Sequence, residues 1–161
     1  MLRRFRNYSG AEMNLSGSQR IGAVRDKVWA ALNDPETLKL CIPGCTSIEK
    51  ISETEMKATS TVKVGPMKIT FSGKVLLSDV DPPNSYSISG EGIGGVAGHV
   101  KGRAVVRLES IEEATVLFYE AHSQIGGKLA QLGARLIDST AKKYARDFFE
   151  KFGAAVSEAP T

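Results

Sequence analysis

The sequence predicts an α+β domain: a curved antiparallel β-sheet covered on one face by a single long C-terminal helix, with two short helices near the N-terminus as a lid. Three observations carry this. Apolar and polar residues alternate with a period of two from Met56 to Ile125. After Gly126-Gly127 the apolar spacing changes to three and four. Between Ala23 and Ile42 a helical pattern is interrupted by Asp34-Pro35. The chain has 161 residues, of which 42% are hydrophobic and 24% charged. That suits one domain, which at this size buries roughly 70% of the surface of its unfolded chain and needs neither disulfides nor metal to fold.

Residues 1–12 show no sustained period and read as a basic tail, followed by a domain over 13–156 and a short tail over 157–161. Met13 to Arg20 is strand-like. Val24, Val28, Trp29 and Leu32 share one face of a helix over 23–33. Asp34 is placed to cap a second short helix with Pro35 at its first position, carrying Leu38 and Leu40 and ending near Ile42-Pro43-Gly44.

The strands follow. Met56, Ala58, Ser60, Val62 and Val64 alternate with polar residues, and Gly65-Pro66 turns the chain. Met67, Ile69, Phe71, Gly73, Val75 and Leu77 form the next apolar face, then Tyr86, Ile88 and Gly90 after the turn at Asp81-Pro82-Pro83-Asn84. Val100, Gly102, Ala104, Val106 and Leu108 belong to a further strand, and Leu117, Tyr119, Ala121, Ser123 and Ile125 to the last. One polar and one apolar face is the mark of an antiparallel sheet covered on one side. Leu129, Leu132, Leu136, Ile137, Thr140, Tyr144, Phe148, Phe149 and Phe152 then describe a helix of about 25 residues, long for a globular protein. Its apolar stripe needs a cover, and the sheet is the one element of matching size.

Catalytic chemistry finds little support in these residues. Gly90-Glu91-Gly92-Ile93-Gly94-Gly95 matches G-x-G-x-x-G, but a dinucleotide cradle opens a helix and strand-like alternation follows here instead. A glycine-rich hairpin fits better, and missing side-chain volume can leave room at the mouth of a pocket. Cys41 and Cys45 are the two cysteines, too few for a disulfide framework and too far from His99 and His122 for a zinc site. Both histidines fall on the polar strand face. No nucleophile with an oriented base stands out. Tyr119, on the inward face, is placed to hydrogen-bond a carbonyl.

The formal net charge of +3 is too small to imply nucleic acid, but it is unevenly spread. Residues 1–12 carry a net +2 and residues 128–156 a net +3, with the middle nearly balanced. Basic ends suit contact with anionic lipid headgroups. No apolar run reaches the length of a spanning helix and no secretory signal is apparent, so a cytoplasmic protein touching the membrane from one side is expected.

The run Val28-Trp29-Ala30-Ala31-Leu32-Asn33-Asp34-Pro35 with Leu38 and Cys41-Ile-Pro-Gly-Cys45 resembles the CoxG family of carbon monoxide dehydrogenase accessory proteins. So do Lys63-Val-Gly-Pro66, Phe71-Ser-Gly-Lys-Val75, Asp81-Pro-Pro-Asn-Ser-Tyr86, Ser89-Gly-Glu-Gly92 with Gly94-Gly-Val-Ala-Gly98, and Gly126-Gly-Lys-Leu-Ala-Gln-Leu-Gly133 with Arg135-Leu-Ile-Asp138 and Phe148-Phe149. The departures are the additional residues 1–12 and His99, where an apolar residue is more usual. The resemblance implies a helix-grip (START-like, SRPBCC-type) fold with an internal apolar cavity. It also implies association with a molybdenum-containing carbon monoxide dehydrogenase or related hydroxylase, attachment to the membrane, and handling of a lipid or quinone-like molecule. The expected role is non-enzymatic: an apolar ligand held without a covalent cofactor in a pocket of about 300–1,000 Å³. Phe71, Ile88, Leu117 and Tyr119 are expected on its sheet side, Leu129, Leu132, Leu136 and Ile137 on its helix side, and Leu38 and Ile42 in its lid. The alternatives are a cyclase- or lyase-like enzyme using the same cavity, with Tyr119, Ser60 and Ser123 as its few inward polar groups, or a structural anchor with a filled core.

Overall fold

The computed structural model describes residues 10–157. Seven strands form one antiparallel sheet in the order β1-β7-β6-β5-β4-β3-β2: β1 (Ala11–Ile21), β2 (Cys45–Ser52), β3 (Glu55–Val64), β4 (Met67–Asp81), β5 (Ser85–Ile93), β6 (His99–Ile111) and β7 (Ala114–Gly126). Strands β2 to β7 run as a meander, and β1 forms the far edge by pairing with β7 from Ala11↔Ile125 to Ile21↔Thr115. The helices are α1 (Arg25–Leu32), α2 (Pro35–Cys41) and α3 (Ala134–Ser157), with 3-10 turns at Gly95–Ala97 and Lys128–Leu132.

The expected layers are present, with four differences in detail. First, β1 begins at Ala11, so Ala11 and Glu12 belong to the sheet rather than to a tail; the rest of that segment, residues 1–9, lies outside the described residues, as do residues 158–161. Second, the helical stretch after Gly127 is not continuous. Lys128–Leu132 form a 3-10 turn, Gly133 has a φ of 95°, and only then does the 24-residue α3 begin. Third, β2 has no counterpart among the expected elements. Its pairing with β3 is broken by register shifts between Cys45 and Ser47 and between Lys50 and Ser52, which scramble the period of two. Fourth, Val24, expected on the apolar face of the first helix, is exposed at its N-cap.

Local chemistry explains the connections. Asp34 caps α2, accepting a hydrogen bond from the Glu36 amide at 3.3 Å and from the Thr37 hydroxyl at 2.8 Å. Gly44 takes a φ of 78° where a Cβ would stand 2.0 Å from the Thr61 carbonyl oxygen, so only glycine fits this turn into β2. Thr115, fully buried, donates to the Ala23 carbonyl at 2.8 Å and ties the loop before α1 to the start of β7.

The apolar interior divides into two clusters. The larger holds Val28 and Leu32 of α1, Cys41 of α2, Tyr86, Val106, Leu108 and Leu117 of the sheet, and Phe152 and Val156 of α3. The smaller lies at the other end of the sheet: Val64, Ile69, Ile125, Leu129 and Ile137, with Leu132 and Leu136 against them. Burial pushes the Tyr86 hydroxyl well above its ordinary pKa. It also raises the Cys41 thiol, with Lys151 acting weakly in the opposite direction.

Candidate functional site

Between these clusters the sheet and α3 do not close on each other. A cavity of about 500 Å³ remains, open to solvent at one side. Strand alternation supplies its floor: Ala58, Ser60 and Val62 of β3, Phe71, Gly73 and Val75 of β4, Ile88, Gly90 and Gly92 of β5, Gly102 and Ala104 of β6, and Ala121 and Ser123 of β7. Met13 of β1 closes one side. Leu129 and the Ile137, Thr140, Ala141 and Tyr144 face of α3 form the roof.

The space exists because small residues face small residues. Gly73 lies opposite Gly92 and Gly90 opposite Gly102, so a band with no side chains crosses three neighbouring strands. Gly73 also permits a close backbone approach, since a Cβ there would meet the Glu91 carbonyl oxygen at 1.8 Å. In the roof, Thr140 and Ala141 of α3 are short as well.

The lining is apolar, and its few polar atoms are mostly committed. Thr140 Oγ1 donates to the Leu136 carbonyl at 2.8 Å, within the helix. The Tyr144 hydroxyl accepts from the Lys63 amide at 2.8 Å. That amide has no partner in β2, which reaches β3 only as far as Ser60, so Tyr144 joins α3 to the free end of β3. The side-chain hydroxyls of Ser60 and Ser123 make no hydrogen bond among the described residues and are left to meet a ligand. Lys74, Glu91 and Arg103 border the cavity through the sheet backbone, and their alternation puts their side chains on the outer face.

Of the ten residues expected to line a pocket, four do: Phe71, Ile88, Leu129 and Ile137. The other six lie elsewhere. Leu117 is part of the larger cluster and 2% exposed. Tyr119 faces inward but stacks on Phe149 with ring centroids 5.3 Å apart. Its hydroxyl lies over Gly17, 2.8 Å from where a Cβ would be, beside a separate groove between β1 and α3. Leu132 and Leu136 pack in the smaller cluster, Leu136 against Gly65. Leu38 and Ile42 belong to α2 and its C-cap, which pack on β2 and α3 beside the larger cluster and do not cover the cavity. Sequence reasoning selected large apolar residues and so missed Ala58, Ala104, Ala121 and Ala141. The signal was available: these are small residues at inward positions on four different elements.

No three histidine, cysteine, aspartate or glutamate side chains converge as a metal site among the described residues. His122 binds Asn14 Oδ1 at 2.6 Å and Glu120 Oε1 at 3.3 Å on the outer sheet face, away from the cavity. The G-x-G-x-x-G run spans the end of β5 and a 3-10 turn leading into β6. No described helix is long and apolar enough to cross a membrane.

A seven-stranded curved sheet gripping one long helix, with a cavity between the two layers, is the helix-grip (START-like, SRPBCC) architecture. The structure of Zhui aromatase/cyclase from a Streptomyces species superposes with a TM-score of 0.64 at 13% identity, over 91% of this chain and 94% of that one. Truncated norcoclaurine synthase from Thalictrum flavum gives 0.61 at 14% identity, over 96% and 99%. At these identities the likeness is one of fold. A conserved protein from Geobacillus kaustophilus is nearer, 33% identical over 90% of this chain and 95% of its own, with a TM-score of 0.84. No protein of curated function matches the sequence. The family model of CoxG, the G component of carbon monoxide dehydrogenase, matches residues 17–157, and the chain belongs to that family.

Proposed function

We propose that this protein is a non-enzymatic accessory component that holds a neutral, mostly apolar molecule, a lipid or quinone-like compound, in the cavity under α3. It would thereby link a molybdenum-containing carbon monoxide dehydrogenase or related hydroxylase to the membrane. The cavity carries this reading: about 500 Å³ of apolar-lined space with two uncommitted hydroxyls, Ser60 and Ser123, and, among the described residues, charged groups only at its border, where strand alternation turns Lys74, Glu91 and Arg103 outward. Burial of each ligand methylene there contributes about 0.8 kcal/mol. A carboxylate or ammonium would be desolvated without a partner, so the ligand is neutral where it is enclosed. The membership in a family of dehydrogenase components supports the accessory role and the partner enzyme. The exposed basic residues of α3, among them Lys142, Arg146 and Lys151, support contact with an anionic lipid surface.

Native mass spectrometry with solvent extraction of the purified protein tests this, using lipids and a short-chain quinone as probes. The wild-type chain retains or takes up an apolar molecule. Ala141→Trp, which fills the roof side of the cavity, abolishes uptake without lowering the melting temperature. A wild-type protein that neither carries nor accepts any such molecule removes the reading.

A further inference from the structure

The two edges of the sheet are built differently. Edge strand β2 has eight residues, two register shifts, and Glu49 and Lys50 in mid-strand; bulges and charges of this kind discourage a further strand from adding. Edge strand β1 has eleven residues, no proline and no register shift along its whole pairing with β7. Among the described residues its outer edge has no backbone partner, and Asn14, Ser16, Gly17, Ser18, Gln19 and Arg20 are exposed. A long, regular, uncovered edge is a template for another strand.

Its sequence indicates which one. The outward-facing residues of β1 are Glu12, Asn14, Ser16, Ser18 and Arg20, with the negative charge at one end and the positive charge at the other. Two copies of β1 laid antiparallel with Ser16 opposite Ser16 bring Glu12 of each copy opposite Arg20 of the other. All eleven residues pair, Ala11 with Ile21 at both ends. Any other antiparallel register that keeps the faces matched is displaced by at least two residues, which separates the charges and leaves strand ends unpaired. On the inner face this register sets Leu15 of one copy against Gly17 of the other, where the missing side chain already admits Tyr119. The contact is two-fold and self-complementary, the commonest closed form of association.

We propose that the chain forms a homodimer through β1–β1 pairing centred on Ser16, joining two sheets into one of fourteen strands and leaving both cavities free. The proposal is independent of what the cavity binds. Sedimentation velocity of the full-length protein tests it. The wild-type chain dimerises, and its dissociation constant rises with salt because two exposed ion pairs contribute. Glu12→Arg and Arg20→Glu each place like charges opposite each other and weaken the dimer at least tenfold. The double variant, with both charges exchanged, restores it. A wild-type chain that stays monomeric at the highest concentration attained overturns the proposal. So does a dimer indifferent to salt and to both single substitutions, or a double variant no tighter than either single one.

Discussion

The two ends of the helix–sheet interface obey one alternation pattern and reach opposite outcomes. At the C-terminal end of α3, Phe148, Phe149 and Phe152 meet Tyr86, Leu108, Leu117 and Tyr119, and α1 and α2 close over them. Tyr119 stacks on Phe149 and Phe148 on Phe152 at 5.3 and 5.5 Å, Phe148 meets Phe149 edge-on at 5.1 Å, and Phe152 is wholly buried. At the N-terminal half of α3, Thr140 and Ala141 face glycine, alanine and serine, and the layers stay apart. Interiors fill to near-crystal density where the facing volumes suffice. Here the smaller cluster of Leu129, Ile137 and their neighbours props the far end, so the middle cannot collapse. One end supplies stability and the other supplies space.

Substitutions sharpen or break this division. Phe152→Ala carves a hole in the filled end and should cost about 3–5 kcal/mol in denaturant unfolding; a loss below about 1 kcal/mol would mean that this end is not the stabilising one. Thr115→Val keeps the shape but leaves the Ala23 carbonyl without its buried donor, for a loss of about 1–3 kcal/mol in the same measurement. Val75→Ala removes methyl groups that already face open space, so its cost should stay below about 1 kcal/mol. A larger cost would show that the cavity closes in solution. Tyr86→Phe should leave stability at neutral pH unchanged or raise it by up to about 1–3 kcal/mol, since the buried Tyr86 hydroxyl makes no hydrogen bond among the described residues. A further effect appears in alkali. The folded-state pKa is raised by burial, so the wild type keeps its full stability below the unfolded tyrosine pKa of about 10 and loses stability above it. The variant should lose less over that range, read as melting temperature against pH.

The division was only half legible in the sequence. The period of two assigned nearly every inward residue to its face, and the shift to a period of three and four located α3. These signals reveal which way a side chain points, not where along the strand the helix comes down on it. Leu117 and Tyr119 point inward as expected, yet sit under the aromatic end of α3. Leu132 and Leu136 carry the right spacing, but the positive φ of Gly133 breaks the helix between them. The two short helices form as expected, with Asp34 as cap, and shelter the filled end instead of the open one. The cavity itself follows from an absence of volume, which hydrophobic patterning does not register.

The pairing of β1 with β7 also orders the events of folding. Ala11 pairs in register with Ile125, more than a hundred residues further along the chain. The meander from β2 to β7 joins strands close in sequence and can assemble as it leaves the ribosome. Of the described strands, β1 is made before the other six and must wait for the last of them. Contacts of such long sequence separation slow folding, and until they form, the earliest segment of the sheet is held in place by nothing but its own continuity with α1.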